Sequence, residues 1–278
     1  MSDWFDLTHL CGIQVTGRDA IEFCQAQFTA DFRELTPGQW QICAWCDPKG
    51  RCLSVILASA DENGVDLIAP ENQIVVLKKL SLYAIGRKVD FSEALPVTGS
   101  LDPGKSTNAP QLPDGRALRL NDSPSVTSAQ SLLEWRIADL CLPLPWLSSH
   151  SSGRYLPQFL GLEKNRGLSY HKGCFPGQEV IARVHYLGKV KHRLSGFVLA
   201  NARKHLELES SHLTIEDSDQ TAELLEYLPV NNVLIGLAVC PSDLASNAPV
   251  SGQTADGPLS GQMTDPKRLC YYRSINND

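Results

Sequence analysis

Two apolar runs, QWQICAWCD (39–47) and RCLSVILASA (51–60), are joined by Asp47-Pro48-Lys49-Gly50. Both runs are rich in the β-branched, aromatic and aliphatic residues that suit a pleated, half-buried surface, and Asp, Pro and Gly are what a reversing turn needs. The spacing predicts a hairpin. A hairpin commits this part of the chain to an antiparallel sheet whose apolar face must be covered by helices or a second sheet.

The flanking text supplies helices. VTGRDAIEFCQAQFTADFREL (15–35) has helix-start residues at Gly17 to Asp19 and then Ile21, Cys24 and Phe28 at helical spacing, which predicts an amphipathic helix with Cys24 on its buried face. After the hairpin, GVDLIA (64–69) reads as a third strand. PENQIVVLKKLSLYAIG (70–86) reads as a helix with a stripe of Val76, Leu77, Leu80, Tyr83 and Ala84 that Gly86 can end, and KVDFSEA (88–94) as another strand. This order predicts an α+β unit. Residues 96–130, rich in Pro, Gly, Ser, Asn and Asp apart from the strand-like RALRL, read as a surface loop or shortened connection. A helix is expected in SAQSLLEWRIADLCL (128–142), stopped by Pro143 and Pro145, with PWLSSHSSGRY (145–155) as a flexible link. After Arg193 the pieces LSGFVLA, HLTIED, AELLEYLP, NVLIGLAV and RLCYYRSI, separated by turn signals, predict a small all-β C-terminal barrel.

At 278 residues the chain can form two or three compact units. With 25 basic and 31 acidic side chains, its net charge of -6 argues against wholesale wrapping of nucleic acid or an anionic membrane, although 183–193 is locally basic. There is no long apolar span and no basic, apolar leader at the N-terminus, so the expected location is the cytoplasm. Nine cysteines without regular spacing read as reduced thiols rather than a disulfide framework.

Four sequence features invite a chemical reading. In SYHKGCFPGQEVIARVHYLG (169–188), Pro176 as the first helical residue would put Cys174 beside a helix N-terminus and two residues from Lys172, both favouring the thiolate; Glu179 and Arg183 fall at i,i+4. The competing reading is a buried structural cysteine with Lys172 solvated, and local text does not exclude it. Cys43-Ala-Trp-Cys46 has the spacing of half a zinc site. In a strand, however, those residues face opposite sides and no second pair completes a site, so structural cysteines are expected. Gly99 to Ser106 formally matches G-x-x-x-x-G-K-S, but the prolines at 110 and 113 leave no helix to carry a phosphate loop. The histidines show no metal-binding spacing and no metal site is expected, while Trp45, Trp135 and Tyr186 are candidates to border a cavity for a flat ligand.

The run Lys172-Gly173-Cys174-Phe175-Pro176-Gly177-Gln178-Glu179 resembles the K-G-C-[FYW]-[PT]-G-Q-E signature of the YgfZ family, folate-binding relatives of the glycine-cleavage T-protein. The flanks SGRYLPQFLGLEKNRGLSYHKGC and IARVHYLGKVKHRL, and upstream VTGRDAIEFCQAQFTADFREL, CDPKGR and LKKLSLYAIGRKV, extend the likeness over most of 10–92 and 131–199. The resemblance implies a three-domain ring around a tetrahydrofolate. One domain would comprise 1–25 plus 93–190, with 26–92 as an inserted α+β domain and 191–278 as the barrel. It implies an accessory role for iron–sulfur enzymes, including those that modify transfer RNA, with those enzymes or cluster-assembly proteins as partners and no direct nucleic-acid or membrane contact. Lys172 and Cys174 carry over as the functional pair. Gln178, Glu179 and Arg183 carry over as motif residues near the folate, Glu179 and Arg183 as a buried ion pair, with Trp135 as a further ligand-facing candidate. The alternative activity, folate-dependent one-carbon transfer, needs a pocket carboxylate: Ser54 stands near the position where the T-proteins carry a catalytic aspartate, leaving Asp47 and Glu179 as candidates. Two further departures are Cys141-Leu142-Pro143, where the family has a glycine before Ile-Pro, and a short 93–130 segment.

Overall fold

The computed structural model describes residues 4–102, 109–121, 127–200, 207–216 and 218–275. The chain divides into two compact units, one formed by 1–132, 146–157 and 162–188, the other by 133–145, 158–161 and 189–278. The α+β class and the C-terminal barrel are both present.

In the first unit, β1 (Trp4–Thr16), α1 (Ala20–Gln27), β2 (Gln41–Cys46), β3 (Cys52–Asp61), β4 (Gly64–Pro70), the short α2 (Ile74–Lys78), β5 (Asp90–Phe91), β6 (Leu95–Ser100) and β7 (Ala117–Leu120) follow in chain order. The strands make one antiparallel sheet in the order β2-β3-β4-β1-β6-β7, with β5 also on β1. The hairpin forms where the apolar runs predict it: Cys43 lies opposite Ile56 and Trp45 opposite Ser54. α1 covers one sheet face, closing Phe23, Cys24 and Phe28 against Ile13, Val15, Cys43, Trp45, Ile56 and Leu67. Each fully buried aromatic or aliphatic side chain there contributes about 1.5–3 kcal/mol.

β1 is the element that the sequence reading lacks. Its pairing with β6 shifts register between Asp6 and Cys11, so the apolar alternation that marks a strand is broken there. The 96–130 segment is not a plain loop, because β6 and β7 are sheet strands and Val97, Thr98, Ser100, Ala117 and Leu118 are buried. The expected boundary at 25/26 falls inside α1 and that at 92/93 in the link between β5 and β6, while β1 pairs with both β4 and β6. The segment 145–155 is also no flexible link: Trp146, Leu147, Ser151 and Tyr155 are buried, and Cys52 is hydrogen-bonded through its backbone to both Gly153 and Tyr155. The helix α3 (Ala129–Cys141) forms as expected; from Leu133 on it belongs to the second unit, and α4 (Gln178–Leu187) belongs to the first.

In the second unit, β8 (His192–Ala200), β9 (His212–Ile215), β10 (Thr221–Val230), β11 (Val233–Pro241), β12 (Pro249–Thr254) and β13 (Gly257–Thr264) close a barrel in the order β10-β11-β8-β13-β12-β9. Closure leaves no unpaired edge. Ile137 and Leu140 of α3 pack with Leu228, Val230, Ile235 and Leu237 of the barrel. The expected strand RLCYYRSI is instead a 3-10 turn, Pro266–Cys270, followed by α5 (Tyr271–Ile275). Asp265 caps the turn by accepting a hydrogen bond from the Lys267 N–H, and Pro266 opens it.

Candidate functional site

The signature run lies in the first unit, on the segment that leads into α4. Its approach is fixed by Thr29, a residue with no exposed surface just after α1. The Thr29 hydroxyl donates to the Gly167 carbonyl and accepts from the Ala44 N–H, and its own carbonyl accepts from the Ser169 N–H. Thr29 therefore binds the approach segment both to the end of α1 and to β2.

Lys172 follows three residues later and turns inward. It is only 8% exposed, and its ammonium donates to the Phe28 carbonyl at 2.5 Å and the Ala30 carbonyl at 2.7 Å, with the Phe175 ring 5.2 Å away. The solvated Lys172 of the local reading is thus incorrect, and its charge is committed to the interior. Burial lowers the amine to about 8; the neighbouring Cys43, Asp31 and Cys24 pull it partly back up, and Arg33 pushes it down. The reciprocal effect on the thiols is smaller than their own burial, which holds both Cys24 and Cys43 well above the ordinary thiol range. Lys172 consequently faces two carbonyls and two neutral thiols.

Cys174 is exposed, and a Cβ placed at neighbouring Gly173 would meet nothing within 4 Å. The buried-cysteine reading therefore fails. So does the helix-start reading, because α4 begins at Gln178 and its N-cap is Gly177 in the left-handed region at φ 79°. Pro176 initiates a turn rather than the helix: the Gln178 N–H bonds to the Phe175 carbonyl, and the Val180 and Ile181 N–H groups bond to the Gly177 carbonyl. Gly177 is required twice over, since a Cβ there would lie 2.4 Å from Gly50 Cα and 2.6 Å from the Asp47 carbonyl oxygen. The turn of the β2–β3 hairpin is thus packed directly against the motif, and Ile181, the buried residue of α4, closes the contact beside Gly50.

The remaining motif residues are less engaged. Gln178 reaches the Lys172 carbonyl at 3.5 Å, a weak bond. Glu179 and Arg183 are both exposed, and among the described residues no ion pair joins them; the expected buried pair is not formed because their side of α4 faces solvent. Trp135 belongs to the second unit and is 1% exposed, so neither ring face is open to stack on a flat ligand. Asp47 is occupied in the hairpin turn, accepting from the Lys49 and Arg51 N–H groups at 2.8 Å each, and Ser54 is fully buried. Neither supplies a free carboxylate.

Beside this loop the first unit has a cleft of about 370 Å³, within the range of small-molecule sites. Ala30, whose carbonyl receives Lys172, is on its wall together with Asp31, Glu34, Glu163, Arg166 and Tyr170. Tyr170 stacks on His185 at 3.9 Å, and His185 Nδ1 is 2.7 Å from Glu163. None of the residues singled out in the signature lines the cleft. They were missed because isolated Asp, Glu, Arg and Tyr residues at 31, 34, 163, 166 and 170 carry no motif and meet only in the fold. The donor set suits a folate: carboxylates can accept from the N–H edge of a pterin, Tyr170 can flank a ring, and Arg166 can pair with a carboxylate tail.

The formal phosphate-loop match fails on context. Gly99 and Ser100 lie in β6, which is antiparallel to both neighbours, and 103–108 lie outside the described residues. Among the described residues no group of three or more His, Cys, Asp or Glu could hold a metal ion, and no helix is long and apolar enough to cross a membrane. Cys43 packs in the core under α1 while Cys46 contacts Cys52, as expected for structural residues facing opposite ways.

No family model matches the chain. A tRNA-modifying protein YgfZ from Vibrio atlanticus is 28% identical over 280 residues, 88% of this chain and 84% of the relative. One from Colwellia psychrerythraea is 27% identical over 226 residues, 68% of this chain and 69% of the relative. An uncharacterized protein from Haemophilus influenzae is 30% identical over 205 residues, 70% and 72% of the two chains. Among solved structures, the glycine cleavage system aminomethyltransferase T from Bartonella henselae superimposes with a TM-score of 0.67 over 95% of this chain and 85% of its own, at 14% identity, a likeness of fold. With the signature intact from Lys172 to Glu179 and relatives of that name aligned over most of the chain, this protein belongs to the YgfZ family, on an aminomethyltransferase-like fold.

Proposed function

We propose that this protein is a tetrahydrofolate-binding accessory factor that supports the assembly, repair or activity of iron–sulfur enzymes, including enzymes that modify transfer RNA. Cys174 and Lys172 are the functional pair, and Gln178, Glu179 and Arg183 complete the motif surface. The observation that carries the reading is the exposed Cys174 thiol on a loop whose position is set by the buried Lys172 ammonium. A structural cysteine would be inside; this one is presented to solvent by a lysine that cannot follow it. Asp31, Glu34, Arg166 and Tyr170 would hold the folate, which supplies a one-carbon-carrying reduced pterin when bound. Lys172 fixes the loop and Cys174 meets the partner. One thiol cannot hold a cluster, which takes several ligands, so an iron–sulfur partner would supply the rest. The fold's alternative, one-carbon transfer, is disfavoured by Ser54 and by the engaged Asp47.

Cys174→Ala tests this reading. Because the thiol is exposed, the variant should unfold within about 0.5 kcal/mol of the parent. It should nevertheless fail to restore iron–sulfur enzyme activity in cells lacking the protein. Full restoration would show that the thiol is dispensable and would remove the central residue from the proposal.

A further inference from the structure

Cys46 ends β2 and Cys52 opens β3, and their sulfurs are 3.9 Å apart, with Cys46 donating to Cys52. The two are partners across the hairpin end, just past a register shift between Trp45 and Cys46. Cys52 turns its N–H to the Tyr155 carbonyl and its carbonyl to the Gly153 N–H, so its pairing with Cys46 is of the non-hydrogen-bonded kind, in which opposed side chains come closest. That geometry suits a disulfide, which needs Cβ atoms about 3.5–4.5 Å apart. Both thiols are buried, at 2% and 0% exposure, but they sit directly beneath a turn whose Pro48 and Lys49 are exposed. Local opening of the hairpin end, without unfolding of the sheet, would admit a small oxidant to them.

We propose that Cys46 and Cys52 are a modification site: a dithiol that hydrogen peroxide converts to an intramolecular disulfide and that a thiol reductant restores. One thiol gives up its proton and attacks peroxide as the thiolate; the O–O bond breaks, the leaving hydroxide takes that proton as water, and a sulfenic acid remains. The second thiol then attacks the sulfenic sulfur, and its proton leaves with the sulfenic hydroxyl as water. In sum, two thiols and one peroxide give one S–S bond and two waters, with both electrons passing to the peroxide. Burial holds the Cys46 thiol well above its ordinary range, so the closed pair is protonated and the thiolate forms where the turn admits solvent; small uncharged peroxide is the oxidant suited to reach it. The bond would clamp the turn against which Gly177 packs, so the oxidised state lies directly under the signature motif. This site is independent of folate binding and of Cys174.

The test uses the full chain, reduced, freed of reductant, exposed to peroxide, denatured, alkylated and mapped. In a Cys174→Ser background, which keeps eight of the nine cysteines, alkylatable thiols should fall from eight to about six, with the peptides containing Cys46 and Cys52 linked, lighter by two hydrogens, and released by dithiothreitol. The proposal is overturned if Cys46 and Cys52 remain alkylatable under peroxide that has already oxidised Cys174 in the parent. It is equally overturned if either forms its bond with another cysteine or with a second chain.

Discussion

Gly177→Ala is expected to destabilise the first unit by about 3 kcal/mol. A non-glycine residue in the left-handed region costs roughly 1–2 kcal/mol, and Gly177 has φ 79°. The added Cβ would also meet Gly50 Cα at 2.4 Å and Gly50 N at 2.5 Å, both backbone atoms that no side-chain rotation can move aside. Overpacking of this kind costs about 1–3 kcal/mol more. Gly38→Ala is the control: φ is 74°, but nothing lies within 4 Å of its Cβ, so only the conformational cost of about 1–2 kcal/mol applies. Urea midpoints of the two variants separate the contributions. Equal losses would mean that the hairpin turn and the motif are not in contact.

Lys172→Met should cost about 2–4 kcal/mol at neutral pH. It removes the donors to the Phe28 and Ala30 carbonyls, and each buried carbonyl left unpaired costs about 1–3 kcal/mol, offset in part by no longer burying a charge. The pH dependence identifies the amine. Its folded value of about 8 lies below the unfolded value of about 10.4, so between those limits the unfolded chain binds more protons. The penalty for burying the charged form is therefore present in full below pH 8 and is relieved as pH rises toward 10.4, by at most about 3 kcal/mol. The neutral amine still has two N–H groups for its two carbonyls, so the bonds survive deprotonation. Parental stability relative to Lys172→Met should increase over that window, and a difference independent of pH would place the ammonium in solvent.

Sequence reading reached the elements whose signals are local. The hairpin was legible because DPKG separates two apolar runs, and the barrel because turn residues recur between short strands. β1 was not, because its register shift between Asp6 and Cys11 breaks the alternation, and recognising it requires the partners β4 and β6 far along the chain. The tyrosines at 271 and 272 suggested a strand, but Asp265 and Pro266 set a helical turn just before them. At the site, the eight-residue signature located Lys172 and Cys174 but not their orientations. Which way Lys172 points depends on carbonyls more than 140 residues earlier, and Cys174 lies exposed ahead of α4, whose N-cap is Gly177 and not a residue before Pro176. The cleft residues were the least legible, since Asp31 and Arg166 come to line one cleft only when Thr29 ties their two segments together.

Tetrahydrofolate binding tests the account most directly, by thermal unfolding of the purified chain. A ligand held only by the folded state, at a hundred times its Kd, adds about 2.7 kcal/mol to stability, which for a chain of this size raises Tm by roughly 5–10 °C. The expected result is that rise with tetrahydrofolate and no change with GTP or ATP. An unchanged Tm across the reduced folates would contradict folate binding by this protein.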